Sequence, residues 1–370
     1  MHVNGIFFEK YYYLYEKYTA AMNKRNLTIK DIAQLTKLSN GTVDRVLHNR
    51  GGVSQRSYNK VMKVIQDQGY EPNIHASMLA YHKEHTIAVV IPEHSKGDFW
   101  ALYQPGLDKA AEYARTFNVK VEKVCYNQYD IEDFRRVYNE IIEMEPSGVI
   151  VAPMFKNETH NFTDRLMDKG IPYVFTDSKL EQDGYLAYFG MPMYQSGYLC
   201  GYLLTDRQKV DDIAIIRIER DAQGLSDPTV NRRAGFLDYI MEHFPSCRIS
   251  NVFINPTDQV KIDETLSAFF AENPQVRNIV MFNSRIHLIA GFLQAHGMKG
   301  YNVVGFDNLE QNIYALKKGF VHTLITQHPE TQAYNAVKAI VDFLVLKKTP
   351  ESRDNFMHMD ILTKFNTEYY

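Results

Sequence analysis

At 370 residues, with 45% hydrophobic content and a net charge of −3, the chain is long enough for a small head and a two-lobed body. No uninterrupted apolar run approaches membrane-spanning length, and the opening MHVNGIFFEKYYYLYEK lacks the basic start, long apolar stretch and cleavage site of a secretory signal. Cys125, Cys200 and Cys247 are scattered and form no CxxC pair, which argues for a reducing cytoplasm and against a zinc site or a disulfide frame.

Residues 1–26 are aromatic-rich and differ in character from residues 27–72. Met22 directly precedes NKRN, so residues 1–21 read as lying before a natural start at Met22, as a loosely attached helix, or as a structured extension. From Thr28 the spacing predicts a helix with Ile29, Ile32, Ala33 and Leu35 as its apolar positions. A short break at Lys37-Leu38-Ser39 comes next, then a second short helix from Asn40 to His48 that buries Val43, Val46 and Leu47. Two short helices with so tight a break form a helix-turn-helix, whose second helix fits a DNA major groove. A third helix is expected from about Gln55 to Gln68, capped by Ser54, ended by Gly69, with Tyr58, Val61, Met62 and Ile65 on its apolar face. Pro72 closes a head of residues 27–72, and residues 73–85 read as a hinge. Residues 27–85 hold eight Lys/Arg against five Asp/Glu, a balance of +3; residues 1–26 add +2, so the remainder carries −8. A mildly basic head on an acidic body suits DNA binding by paired heads, since one head alone makes few phosphate contacts.

From Thr86 the pattern alternates strand and helix. Strands are expected at Ile87–Ile91, Val119–Cys125, Val149–Ala152 and Tyr173–Thr176, then at Ile213–Ile218, Ile249–Ile254, Ile279–Phe282, Val303–Phe306 and His322–Ile325, with Phe356 to Asn366 as a last strand. Alternation of this kind means parallel sheets with helices on both faces, and two series mean two lobes. The expected fold class is therefore α/β: a small all-α helix-turn-helix head plus a two-lobed, doubly wound parallel-sheet body. Lobe 1 is placed at about 86–190 and 328–350, lobe 2 at about 191–327 and 351–370. Ligands in such sheets sit at the carboxyl ends of the strands, here the loops around Phe99, Pro153, Asp177, Asn283, Asp307 and Gln327.

The head TIKDIAQLTKLSNGTVDRVLHNRGGVSQRSYNKVMKVIQDQGYEPN resembles the LacI (lactose-repressor) family over its whole length, and the order of head, hinge and periplasmic-sugar-binding-protein-like body matches to about Asn366. The resemblance assigns base reading to Asn40, Gly41 and Arg45, with Arg45 able to present a fork to guanine. It assigns phosphate contacts to Thr28, Thr42, His48 and Asn49. Asp44 departs from the small polar residue usual there; it either accepts from cytosine or turns aside. Within the hinge Pro72-Asn73-Ile74-His75-Ala76-Ser77-Met78-Leu79, Leu79 stands at the family's minor-groove wedge, or else packs against the body.

In the body, Asp98-Phe99-Trp100 resembles the sugar-stacking loop of ribose-type binding proteins, and Trp100, the only tryptophan, is assigned to ligand in preference to core. Asp177 matches a strand-end ligand aspartate, Arg232 the arginine of R-x-x-G-F, Asn283 an asparagine of an Asn-Asp pair, and Asp307 a second ligand aspartate. Gln327 falls at the third crossover between lobes. Ser178, Pro192 and Ser284 replace charged or acidic residues common in the family, which leaves a pentose or hexose as first choice of effector and a sugar acid paired with Arg232 as second.

The family resemblance thus implies a cytoplasmic, homodimeric regulator that binds a pseudo-palindromic double-stranded operator and answers to a small sugar or sugar acid, with repression relieved by ligand as the commoner behaviour. No membrane, metal, cofactor or catalytic residue is expected. Two rivals stand beside it. The body alone fits a sugar transport receptor, against which the head argues. An enzyme is the other, but no P-loop, GxSxG or HExxH is present.

Overall fold

In the computed structural model, residues 28–47, 51–68, 84–206, 210–218 and 229–369 are described. The chain divides between His82 and Lys83 into two units. The N-terminal extension, most of the hinge, and His48, Asn49 and Leu79 lie outside the described residues.

The head holds three helices whose ends are fixed by side chains. Helix α1 (Ile29–Thr36) starts in a reciprocal cap: the Asp31 N–H donates to Thr28 Oγ1 at 3.3 Å and the Thr28 N–H donates to the Asp31 carboxylate at 2.7 Å. It stops at Lys37, which turns left-handed (φ 55°). Helix α2 (Asn40–Leu47) begins with the Thr42 N–H donating to Ser39 Oγ at 3.2 Å, and α3 (Gln55–Gln68) with the Ser57 N–H donating to Ser54 Oγ at 3.3 Å. Ile32, Ala33, Val43, Val46 and Val61 form the buried centre. Leu35 corrects the expected pattern: it is 57% exposed, because the buried stripe of α1 runs through positions 29, 32, 33 and 36. Thr36 fills the inward place, its hydroxyl donating to the Ile32 carbonyl at 2.7 Å. Tyr58 is likewise left outside at 38% exposure, and Val64 packs on the core instead.

The body contains two six-stranded sheets. In chain order their strands are β1 (His85–Pro92), β2 (Val119–Tyr126), β3 (Gly148–Val151), β4 (Tyr173–Asp177), β5 (Ala187–Gly190), β6 (Asp212–Ile218), β7 (Arg248–Ile254), β8 (Asn278–Met281), β9 (Asn302–Phe306), β10 (Thr323–Thr326), β11 (Asp354–Phe356) and β12 (Asp360–Leu362). Sheet one runs β11-β5-β4-β3-β1-β2 and sheet two β12-β10-β9-β8-β6-β7, parallel throughout except where β12 lies antiparallel to β10. Central strands such as β1 and β3 are covered on both faces, which is why they read as continuous apolar runs. In both sheets the direction of winding reverses beside the first strand, so the carboxyl ends form a crevice at equivalent places.

Several expectations change. Strand β5 was not anticipated; its four residues AYFG carry no alternation. The single last strand expected over 356–366 is two three-residue strands, one in each sheet, because the chain changes lobes between them. Residues 354–356 therefore belong to lobe 1, and the final crossover falls at 357–359 instead of near 351. The crossover at Gln327 is the second in chain order, not the third.

The body helices up to the first crossover are α4 (Gln104–Arg115), α5 (Ile131–Met144) and α6 (Lys156–Asp168). In lobe 2, α7 (Met193–Thr205) and α8 (Val230–His243) precede α9 (Gln259–Glu272), α10 (His287–Ala295) and α11 (Glu310–Lys318). Helices α7 and α8 meet backbone to backbone: a Cβ on Gly197 would lie 1.6 Å from the Arg232 carbonyl oxygen, and one on Gly235 would lie 2.0 Å from that of Tyr194. Only glycine permits this approach, and it fixes where Arg232 stands.

Candidate functional site

Between the two lobes, at the carboxyl ends of both sheets, lies a cleft of about 340 Å³. It brings together all eight candidate ligand residues: Asp98, Phe99, Trp100, Asp177, Arg232, Asn283, Asp307 and Gln327.

The floor is built on two equivalent aspartates. Asp177 ends β4 and Asp307 comes directly after β9, one in each lobe, and both are left-handed, at φ 65° and 67°. Non-glycine residues take this conformation at a cost, and sites that bind ligands are where such strain collects. Gln327, on the crossover, donates from Nε2 to Asp307 at 3.2 Å and to Asp177 at 3.4 Å. Its Oε1 accepts from Gln332 at 2.9 Å, Gln332 accepts from the Tyr103 hydroxyl at 2.5 Å, and Thr176 donates to Tyr103 at 3.3 Å. This buried chain of donors fixes which face of Gln327 meets the carboxylates.

Arg232 is buried on the same floor, its guanidinium 3.9 Å from the centre of the Phe306 ring. Its donors go to neutral groups: the Ser196 hydroxyl at 3.1 Å, the Phe282 carbonyl, and the sulfurs of Met191 and Met193 at 3.5 and 3.3 Å. Burial pushes the Asp177 carboxyl up to about 7 and that of Asp307 up to about 6, while the nearby Arg232 charge pulls both down. Burial also pulls Arg232 down from its usual range.

The lobe 1 wall departs from expectation at Trp100. It is only 5% exposed, packed edge-on against Phe99 at 5.3 Å and tilted over Tyr103 at 4.8 Å. Trp100 is thus a core residue that shows one side to the cleft, because residues 99–103 coil into a short 3-10 turn that tucks it against the sheet. Asp98 has a structural task too, accepting from the Ser95 N–H at 2.9 Å.

On the lobe 2 wall, Asn283 accepts from the Arg285 N–H at 2.9 Å. His287 was missed by sequence reasoning. It lines the cleft at the start of α10, with Nδ1 2.9 Å from Asn312 Oδ1. The Asn312 amide nitrogen donates to the carbonyls of Ser284, Phe306 and Asp307, so its oxygen accepts and His287 carries its proton on Nδ1. Burial holds the imidazole below its ordinary value, which leaves Nε2 as a neutral acceptor. It lies four residues past Asn283, at the first position of α10, where no motif marks it. Lys96, Arg285 and Gln311 also line the cleft and were not singled out. Ser178 is buried with no hydrogen-bond partner for its hydroxyl among the described residues.

In the head, Asn40, Gly41 and Arg45 are exposed on α2, and Thr42 and Asp44 are half-buried. Thr42 Oγ1 lies 2.8 Å from Ser39 Oγ and Thr28 sits in the α1 cap, so both hydroxyls also organise helix starts. A Cβ on Gly52 would lie 3.2 Å from Arg45 Nη1, so the arginine rests beside that glycine.

Comparison with known proteins identifies both the head and the body. A periplasmic binding protein domain matches residues 87–348, and the domain described as bacterial regulatory proteins, lacI family, matches residues 28–73. A solved structure of a putative LacI transcriptional regulator from Bacteroides fragilis is 34% identical, with a TM-score of 0.73 over 78% of this chain and 100% of that one. The chain belongs to the lacI family. The ribose operon repressor of Halalkalibacterium halodurans is 24% identical over 89% of this chain and 98% of its own length. The sucrose operon repressor of Klebsiella pneumoniae is 29% identical over 42% of this chain, a match that spans 50% of that protein. This lacI-family chain is a DNA-binding transcription regulator, which separates it from transport receptors that share its body. Its relatives are regulators, not enzymes. Among the described residues no helix is long and apolar enough to cross a membrane.

Proposed function

We propose that the chain is a cytoplasmic homodimeric repressor whose two heads read a pseudo-palindromic operator and whose body senses a small sugar or sugar acid between its lobes. The observation that carries this reading is the meeting of Asp177 and Asp307, one strand end from each lobe, on the Gln327 amide of the crossover. A ligand whose hydroxyls donate to both carboxylates favours the closed arrangement of the lobes over an open one. That difference in affinity is what a switch requires. Phe99 and the open side of Trp100 offer cover to the apolar face of a sugar ring, and Asn283, Asp98 and His287 supply further polar partners. At the head, Arg45 and Asn40 read bases, while Thr28, Thr42, His48 and Asn49 hold phosphates and Leu79 wedges the minor groove.

The test is a thermal-shift and calorimetry screen of sugars and sugar acids on the full chain, then operator binding with and without the best ligand. A ligand that binds one per chain and changes DNA affinity supports the reading. A ligand bound with equal affinity by the Asp307→Ala chain places the sensor elsewhere.

A further inference from the structure

The cleft is chemically divided between floor and mouth. At the floor, Asp177 and Asp307 converge, and the one cation there among the described residues, Arg232, has its donors committed to Ser196, Phe282, Met191 and Met193. An anionic group placed at the floor would meet two acidic side chains and a guanidinium that already makes four hydrogen bonds, two of them to sulfur. The floor therefore suits donors, the O–H groups of a polyol.

The mouth is the reverse. Lys96 stands in the turn after β1 of lobe 1 and Arg285 in the turn after β8 of lobe 2, and both line the same cleft. Neither the Lys96 ammonium nor the Arg285 guanidinium makes a hydrogen bond or ion pair among the described residues. The turn that holds Lys96 faces the opposite lobe: a Cβ on Gly97 would lie 3.0 Å from Gln311 Nε2 at the start of α11. His287 feels the charges of both Arg285 and Asp98, so these groups share one region of the cleft. Asp98 is the carboxylate nearby, already held by the Ser95 N–H.

Resting on the sugar-sensor reading, we propose that the effector is a monosaccharide-sized polyol carrying an anionic group, phosphate or carboxylate, with its hydroxyls on the Asp177–Asp307 floor and its anion at the mouth between Lys96 and Arg285. Closing the lobes on a neutral sugar brings two cations toward each other with Asp98 as the one carboxylate beside them among the described residues. Closing on an anion replaces that repulsion by two charge-assisted contacts. The anion thus adds affinity for the closed arrangement in particular, which is the quantity that drives a switch.

The experiment titrates the full chain, by calorimetry and by emission of its single tryptophan, with neutral sugars and their anionic derivatives: glucose against glucose phosphate and glucuronate, galactose against galacturonate, ribose against ribose phosphate. The tightest binder is expected to be anionic and to exceed its neutral parent by about tenfold or more, a preference that weakens with added salt. In a Lys96→Gln/Arg285→Gln chain the preference is expected to shrink to within about twofold, by loss of the charge-assisted contacts. A neutral parent that binds as tightly as its derivative overturns the proposal. So does a preference that survives the double substitution but is lost in Arg232→Lys, which would put the anion on the floor. Binding of no member, neutral or anionic, overturns instead the sugar-sensor reading beneath it.

Discussion

Asp177 and Asp307 show most clearly what single residues contribute. Both carboxyls are pushed up by burial, to about 7 and about 6, so the folded chain holds their protons more tightly than the unfolded chain does. Their contribution to stability is complete below about pH 4 and is lost as pH rises through 6 and 7. The ligand-free chain is expected to melt lower at about pH 8 than at about pH 5.5, and an Asp177→Asn/Asp307→Asn chain should lose most of that difference. Ligand hydroxyls prefer charged acceptors, so effector affinity should rise across the same interval; a flat profile would mean the carboxylates do not face the ligand. Asp307→Ala should weaken effector binding by roughly ten- to over a hundredfold, the equivalent of about 1.5–3 kcal/mol for one charge-assisted partner. Both aspartates were legible in the sequence because each closes a recognisable apolar strand run. His287 and Asn312 were not, since their roles depend on α10 and α11 meeting, which spacing along the chain does not show.

Elements were legible where a period or a cap defines them. The three head helices are explained by Thr28, Ser39 and Ser54 at their starts and by apolar stripes. Leu35 was misplaced because it lies beside the stripe, not on it. Strands β5, β11 and β12 were missed or merged, being three or four residues long and set by neighbours in the sheet instead of by their own pattern. Two predictions belong here. Thr28→Ala should cost the head about 1 kcal/mol, read in its melting, through loss of the α1 cap. Gly197→Ala tests the α7–α8 contact by sign. Helix propensity alone favours alanine by about 1 kcal/mol. The Arg232 carbonyl 1.6 Å from the new Cβ forces the helices apart. Overpacking of that kind costs about 1–3 kcal/mol or more and displaces Arg232, so the chain should melt lower and bind effector less well. A higher melting temperature would contradict the close approach.

At the scale of the whole molecule, a DNA-binding head is joined to a two-lobed body. The order of head and body was legible because the two segments differ in period and charge. The coupling between them was not, because it depends on a difference between two arrangements of one chain. Base reading by the head is checked separately. Arg45→Ala should cost about 1–3 kcal/mol on the best operator and much less on random DNA, and equal losses on both would reduce Arg45 to a phosphate contact. The most direct test of the central claim is the affinity of the full chain for an operator selected from random duplexes, measured by fluorescence anisotropy with and without a saturating cleft ligand. The ligand is expected to change this affinity by about tenfold or more, and the Asp307→Ala chain to bind the same operator equally well yet no longer respond. An operator affinity that stays constant while the cleft fills, or a response that persists in Asp307→Ala, would contradict it.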